Sequence, residues 1–179
     1  MGFREEVDRI APRLRRFARA LVPGDFDARP ETADALVQET VLRAVRSEKL
    51  IDPASLAHWL FATLIDIHLT SLKRPAFVRP GKPERVPQSP KARERNPAID
   101  PVGALGDALE ALAPDDRVAF LLVCLESFSY DDAAEIVRAP RPVVVQRLVR
   151  ARNQMAGAFD ASLLAADRAG RHPHLRLVK

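Results

Sequence analysis

The sequence predicts an all-α protein made of two small helical domains. Apolar residues recur at helical spacing in each block able to hold a core. Seven of the 15 prolines crowd into one stretch, Pro75 to Pro101. Aromatic residues make up only 6% of the 179 residues, while Ala, Leu and Arg are abundant, and these lose little conformational freedom in a helix. The proline stretch, mixed with Arg, Lys, Glu, Gln and Ser, cannot hold a helix and buries little. Residues 75–101 are therefore expected to form an extended, flexible linker. It separates an N-terminal domain (1–74) from a C-terminal one (102–160), followed by a polar tail (161–179). Each domain falls below ~80 residues, where a core alone is marginal, so a bound partner is expected to add stability.

In the first domain, Val7, Ile10, Leu14, Phe17, Ala18 and Leu21 predict a helix over Phe3 to Leu21, with Arg9, Arg13, Arg16 and Arg19 on other faces. Pro23-Gly24-Asp25 breaks the pattern. Leu36, Val37, Thr40, Val41, Ala44 and Val45 predict an amphipathic helix over about 31–47. Asp52-Pro53 marks the next start, because proline at an early helical position gives up only an N–H that would be unpaired anyway. That third helix, about 53–73, carries Leu56, Trp59, Leu60, Thr63, Leu64, Ile67 and Leu72, and Pro75 stops it.

In the second domain a short helix spans 102–112. Pro114 opens another, in which Val118, Phe120, Leu121, Leu122, Cys124 and Leu125 are apolar. Ser129, three residues before Asp132, reads as an N-cap in a capping box with Asp in place of Glu. Ala133, Ala134 and Ile136 give that helix its buried side. Arg138-Ala139-Pro140 forms a turn, and Pro142 begins a basic helix reaching about Ala158. Two helices joined by so short a turn, the second one basic, describe a helix-turn-helix.

Charge placement supports nucleic-acid binding. The net charge is +4, yet residues 102–136 hold one basic against eight acidic residues, whereas 137–179 hold nine basic against two acidic. A concentrated cationic segment is what phosphate binding uses. The plainer alternative is an Arg-rich helix that is simply solvated.

Other classes find no support. No apolar run reaches the ~18 residues that would suggest a membrane span, and the N-terminus lacks a signal-peptide core. The single Cys124 rules out an intramolecular disulfide, and a cytoplasmic location is expected. His58, His68, His172 and His174 form no metal-ligand spacing. Asp115-Asp116 and Asp131-Asp132 read as helix N-terminal carboxylates stabilising the dipole rather than as acid–base pairs. No nucleophile or phosphate-loop motif appears. The chain is therefore expected to be no enzyme and to need no cofactor.

Two groups of residues resemble a known family. Leu112-Ala113-Pro114-Asp115-Asp116-Arg117, Phe120-Leu121-Leu122, Ser129 to Ile136 and Arg147-Leu148-Val149-Arg150-Ala151-Arg152 are similar to region 4 of the extracytoplasmic-function (ECF) sigma factors, in the sigma-70 family. Arg13 to Leu21 and Leu36 to Ala44 are similar to regions 2.1 and 2.2 of the same family, in the right order. The Arg16 to Leu21 phrase leans toward the alphaproteobacterial general-stress-response type. The resemblance covers about four-fifths of the chain.

It implies a DNA-binding module that joins the RNA polymerase core, through the β′ clamp helices and the β flap, and directs it to promoters. Region 4 would read the −35 element with Arg141, Gln146, Arg147, Arg150 and Arg152. Arg can bond guanine bidentately and Gln adenine, and the remaining Arg would hold phosphates. Region 2 would contact the −10 element through Lys73 and Arg74, and Gln38, Glu39 and Arg43 would meet β′. In this family the linker threads toward the polymerase active-site and RNA-exit region. An anti-sigma factor is the implied regulator.

The departures from the family bear on DNA binding. Ile65, Asp66, Thr70 and Ser71 stand where Asn, Asp and several Arg would melt the −10 element. Pro142-Val143-Val144-Val145-Gln146 replaces a Gly-Thr-Val-Lys-Ser stretch, with an expected loss of helix propensity and polar reach. These changes favour an alternative: a sigma-like decoy that titrates an anti-sigma factor without recognising promoters. Promoter binding requires the outward arginines of the last helix to present free cationic surface, and intramolecular ion pairs there would count against it.

Overall fold

The structure is a computed structural model that describes residues 2–22, 30–73 and 101–168, with side chains described over 2–22, 33–73 and 105–158. Most of the linker, Arg74, the Pro23-Gly24-Asp25 breaker, His172 and His174 lie outside the described residues. Within them every regular element is helical: α1 Phe3–Leu21, α2 Pro30–Arg46, α3 Leu56–Lys73, α4 Pro101–Ala111, α5 Pro114–Phe120, α6 Tyr130–Ile136 and α7 Arg141–Arg168. None of them is long and apolar enough to cross a membrane.

In the N-terminal domain α1, α2 and α3 pack on one another. Val7, Ile10, Leu14, Phe17 and Leu21 form the buried stripe of α1, against Val37 and Ala44 of α2 and Leu56, Leu60, Phe61 and Leu64 of α3. Thr40 is fully buried because its hydroxyl donates to the Leu36 carbonyl one turn back, at 2.8 Å, so no polar atom is stranded. Pro12 sits on the exposed side of α1, where a lost backbone bond is readily replaced by water. Two residues expected in the apolar stripes face solvent instead, Val45 and Leu72. The sequence start at Asp52-Pro53 is a 3₁₀ turn over Pro53–Ser55, with the Asp52 carboxylate accepting from the Ala54 N–H at 3.2 Å.

In the C-terminal domain, α7 lies along α4, α5 and α6 and buries Val144, Leu148, Ala151 and Met155. The three valines thus have another role than the sequence suggests. Val144 is fully buried and Val143 and Val145 half-buried, so the run also anchors α7 to the core. The helix also runs ten residues past the expected end at Ala158, to Arg168, which makes the first part of the presumed polar tail helical.

Local capping explains the ends of α6. The Ser129 hydroxyl accepts from the Asp132 N–H at 3.1 Å, and the Asp132 carboxylate accepts from the Ser129 N–H at 3.2 Å, the reciprocal box read from the sequence. At the far end Arg138 has φ 51°. Its N–H bonds the Glu135 carbonyl, and the Ala139 N–H bonds the Ala134 carbonyl, the two bonds of a Schellman motif.

Beyond α5 the chain continues as a π-helical turn over Leu121–Leu125. The Glu126 N–H reaches back five residues to Leu121 and the Phe128 N–H six to Leu122, both at 3.1 Å. The extra residue per turn rotates Glu126 and Phe128 toward the N-terminal domain.

The two domains are docked, and one contiguous apolar cluster runs through both. Phe17, Phe61 and Phe128 form a chain of edge-to-face rings, 5.2 and 5.1 Å between centroids, an arrangement favoured by the ring quadrupoles. The Arg13 guanidinium lies over both Phe61 and Phe128. The Glu126 carboxylate, with a side chain 0% exposed, accepts from Arg13 at 2.9 Å and from Arg16 at 2.9 and 3.1 Å. His58 of α3 faces Asp132 of α6 at 3.5 Å.

Candidate nucleic-acid interface

The last two helices set the site. Val137 to Pro140 is a four-residue turn between α6 and α7, which is helix-turn-helix spacing. Gln146 is exposed on α7. Arg141, also exposed, lies 3.4 Å from Asp131 at the start of α6. Arg147 donates to Asp115 at 2.8 Å. Arg150 grips Asp116 with two bonds, at 2.7 and 3.0 Å, and this bonding raises the affinity of the Arg150 guanidinium for its proton. Arg152 points to the Cys124 thiol at 3.8 Å.

The structure therefore brings the five residues onto one helix, but three of the four arginines hold intramolecular carboxylates. Asp115 and Asp116 are more than helix-dipole partners, because they fasten α7 to α5. The Arg141–Asp131 pair is exposed on both sides, 59% and 74%, and an ion pair at such a position contributes about 0–1 kcal/mol, so a polyanion can compete for Arg141. The other two pairs are more enclosed, with the Arg147 side chain 21% and that of Asp116 10% exposed. The Ser129 hydroxyl bonded to its carboxylate holds Asp132 below the usual carboxylate range, so the α6 cap stays ionised.

In the N-terminal domain, Gln38 and Arg43 are exposed on α2, and Glu39 pairs with Arg43 at 2.9 Å. Leu42, half-exposed one turn after Gln38 on the same face, was not singled out by sequence, because an isolated Leu on a polar side carries no pattern. Leu50, beyond the end of α2, is 88% exposed. Lys73 is exposed at the end of α3. Ile65 is buried and Asp66 exposed, so of those two departures only Asp66 can face nucleic acid.

Arg117 is a further residue whose role the motif did not disclose. Buried between the domains, it donates to the carbonyls of Leu21 at 3.0 Å, Glu110 at 2.7 Å and Leu112 at 3.1 Å. It thereby caps the C-terminal ends of α1 and α4, where a cation is favoured. Burial lowers the affinity of the Arg117 guanidinium for its proton.

Two helical domains, the second a helix-turn-helix with a basic final helix, define a two-domain transcription protein. Residues 103–155 match the family described as Sigma-70, region 4. Over 156 residues the chain is 30% identical to the ECF RNA polymerase sigma factor EcfG of Rhodopseudomonas palustris (strain TIE-1), spanning 87% of this chain and 83% of that protein. The fold is similar to a chain in the co-crystal structure of the sigma factor RpoE with the anti-sigma factor NepR from Bartonella quintana, with a TM-score of 0.65 and 23% identity over 88% of this chain and 96% of that one. It is also similar to a chain of the complex of CnrH with the cytosolic domain of CnrY, with a TM-score of 0.63 and 21% identity over 89% and 88%. The chain belongs to the ECF RNA polymerase sigma factors.

Proposed function

We propose that the chain, as an ECF sigma factor, joins core RNA polymerase in the cytoplasm and directs it to promoters. In this reading α7 enters the major groove at the −35 element and the exposed end of α3 lies near the −10 element. The observation that carries it is the helix-turn-helix of α6 and α7, whose exposed side holds Arg141, Gln146, Arg150 and Arg152. The outer side of α2, with Gln38, Leu42 and Arg43, is the surface proposed to meet the β′ clamp helices, and the C-terminal domain is proposed to meet the β flap. The match to EcfG supports the general-stress-response type. The structure of similar fold from Bartonella quintana, bound to the anti-sigma factor NepR, supports regulation by such a partner.

The ion pairs of Arg141, Arg147 and Arg150 favour the second reading, a decoy that binds an anti-sigma factor and no promoter. The test is run-off transcription with purified core polymerase and a promoter library. Transcripts that depend on the added chain support the sigma reading. Tight anti-sigma binding with no transcript from any promoter supports the decoy.

A further inference from the structure

A cleft of about 320 Å³ opens between the two domains, within the range of small-molecule sites. Its wall from the N-terminal domain carries Arg43, Arg46, Trp59, Thr63 and Asp66, and the C-terminal domain contributes Arg138. The lining thus holds three arginines, one indole and one carboxylate. Arg43 is shared with Glu39, whereas Arg46 and Arg138 hold no ion pair among the described residues. Like charges gathered at short range repel, and an anion between them removes that repulsion.

Arg138 adds an independent observation. It occupies the left-handed position at the end of α6, with φ 51°, which glycine adopts without strain and a long side chain does not. Ser127 shares this conformation, with φ 60°, but of the two only Arg138 lines the cleft.

The geometry points to a ribonucleotide site: phosphates held by Arg46, Arg138 and Arg43, a base against Trp59, and ribose hydroxyls toward Asp66 and Thr63. Arginine forks suit phosphate oxygens, and an indole offers a stacking face to any base. A carboxylate in the same cleft suits a sugar diol and opposes a continuous phosphodiester chain, so a free nucleotide fits better than a nucleic-acid strand. Arg138 comes from one domain and the other residues from the other, so the complete site exists only in the docked form. Occupancy would then favour docking by mass action. The inference rests on the docked arrangement and not on promoter recognition.

Trp59 is the only tryptophan in the chain, so intrinsic fluorescence of the full-length protein reads the cleft directly. GDP and ADP are titrated, with guanosine, pyrophosphate and a single-stranded DNA oligonucleotide as comparisons. One nucleoside diphosphate should give a saturable change, and guanosine and pyrophosphate should bind about tenfold or more weakly, since each lacks one part of the recognition. Arg138→Gly removes the guanidinium and relieves the backbone, so it should melt no lower than the parent and still lose about tenfold in affinity. Glu126→Ala, which leaves the cleft residues intact but weakens docking, should reduce affinity as well. No saturable change up to millimolar nucleotide overturns the inference, and so does unchanged affinity in Arg138→Gly. Oligonucleotide binding that matches the diphosphates and ignores Arg138→Gly overturns it too, and assigns the cleft to strand binding by the N-terminal domain.

Discussion

Glu126 and Arg13 lie 113 residues apart in the chain and are joined by a 2.9 Å bond that fastens one domain to the other. The Arg13 guanidinium also donates to the Glu126 backbone carbonyl at 3.1 Å, and Arg16 shares the carboxylate. A fully buried carboxylate is stable only when its charge is matched in this way. Docking of this kind fixes the spacing of the domains.

Glu126→Ala should therefore loosen the docked form. The arginines are half-exposed and return to water, so the loss is that of charge-assisted bonds, about 1–3 kcal/mol. Small-angle scattering should show a larger radius of gyration, and the thermal midpoint should fall. Glu126→Gln keeps part of the bonding and should lie between. A radius unchanged in Glu126→Ala would mean that the aromatic contacts hold the domains together without the ion pairs.

Asp115→Asn with Asp116→Asn releases Arg147 and Arg150 from their partners. If α7 binds DNA, filter binding should show tighter association with a steeper dependence on salt. The slope of log K against log salt should grow by up to about 0.9 for each arginine newly in contact with phosphate. The same change should lower the thermal midpoint, because α7 loses two links to α5. A lower midpoint with no gain in DNA affinity would make these arginines structural alone.

Ser129→Ala tests the capping box. Losing the hydroxyl that accepts the Asp132 N–H should cost about 1 kcal/mol, seen as a lower denaturation midpoint. Because Asp132 also faces His58 across the domains, the loss should extend to docking. A variant as stable as the parent would show that the Asp132 carboxylate alone holds the cap.

The box itself was legible because Ser129 and Asp132 are three residues apart and nothing distant is needed to read them. The same holds for the helical class and for α1, whose expected and observed limits agree, since periodicity is a local signal. The docking was not legible. Arg13 and Arg16 look like a solvated face until Glu126 is placed between them, and only the π turn at Leu121–Leu125 places it there. The one hint lay in Leu125-Glu126-Ser127-Phe128, where a carboxylate interrupts an apolar run and so needs a cation from elsewhere. On α7 the residue types were read correctly as basic, but not their engagement, because Asp115 and Asp116 lie a helix away. A run of three valines likewise says nothing about which face of α7 meets the core, and of the three only Val144 is fully buried.

His68 gives the docked chain a pH dependence of definite sign. The side chain is buried on α3. Burial, with the positive charge of Arg117 as a smaller cause, lowers its pKa from the usual 6.5. As pH falls through that value the unfolded chain takes up the proton before the folded one does, so protonation favours unfolding. The contribution is intact above about 6.5 and shrinks as pH falls toward the lower, folded-state pKa. The thermal midpoint should therefore decline as pH falls below about 6.5. His68→Leu leaves nothing to protonate and should flatten the profile in that range. Parallel decline in the parent and the variant would place the titrating group elsewhere.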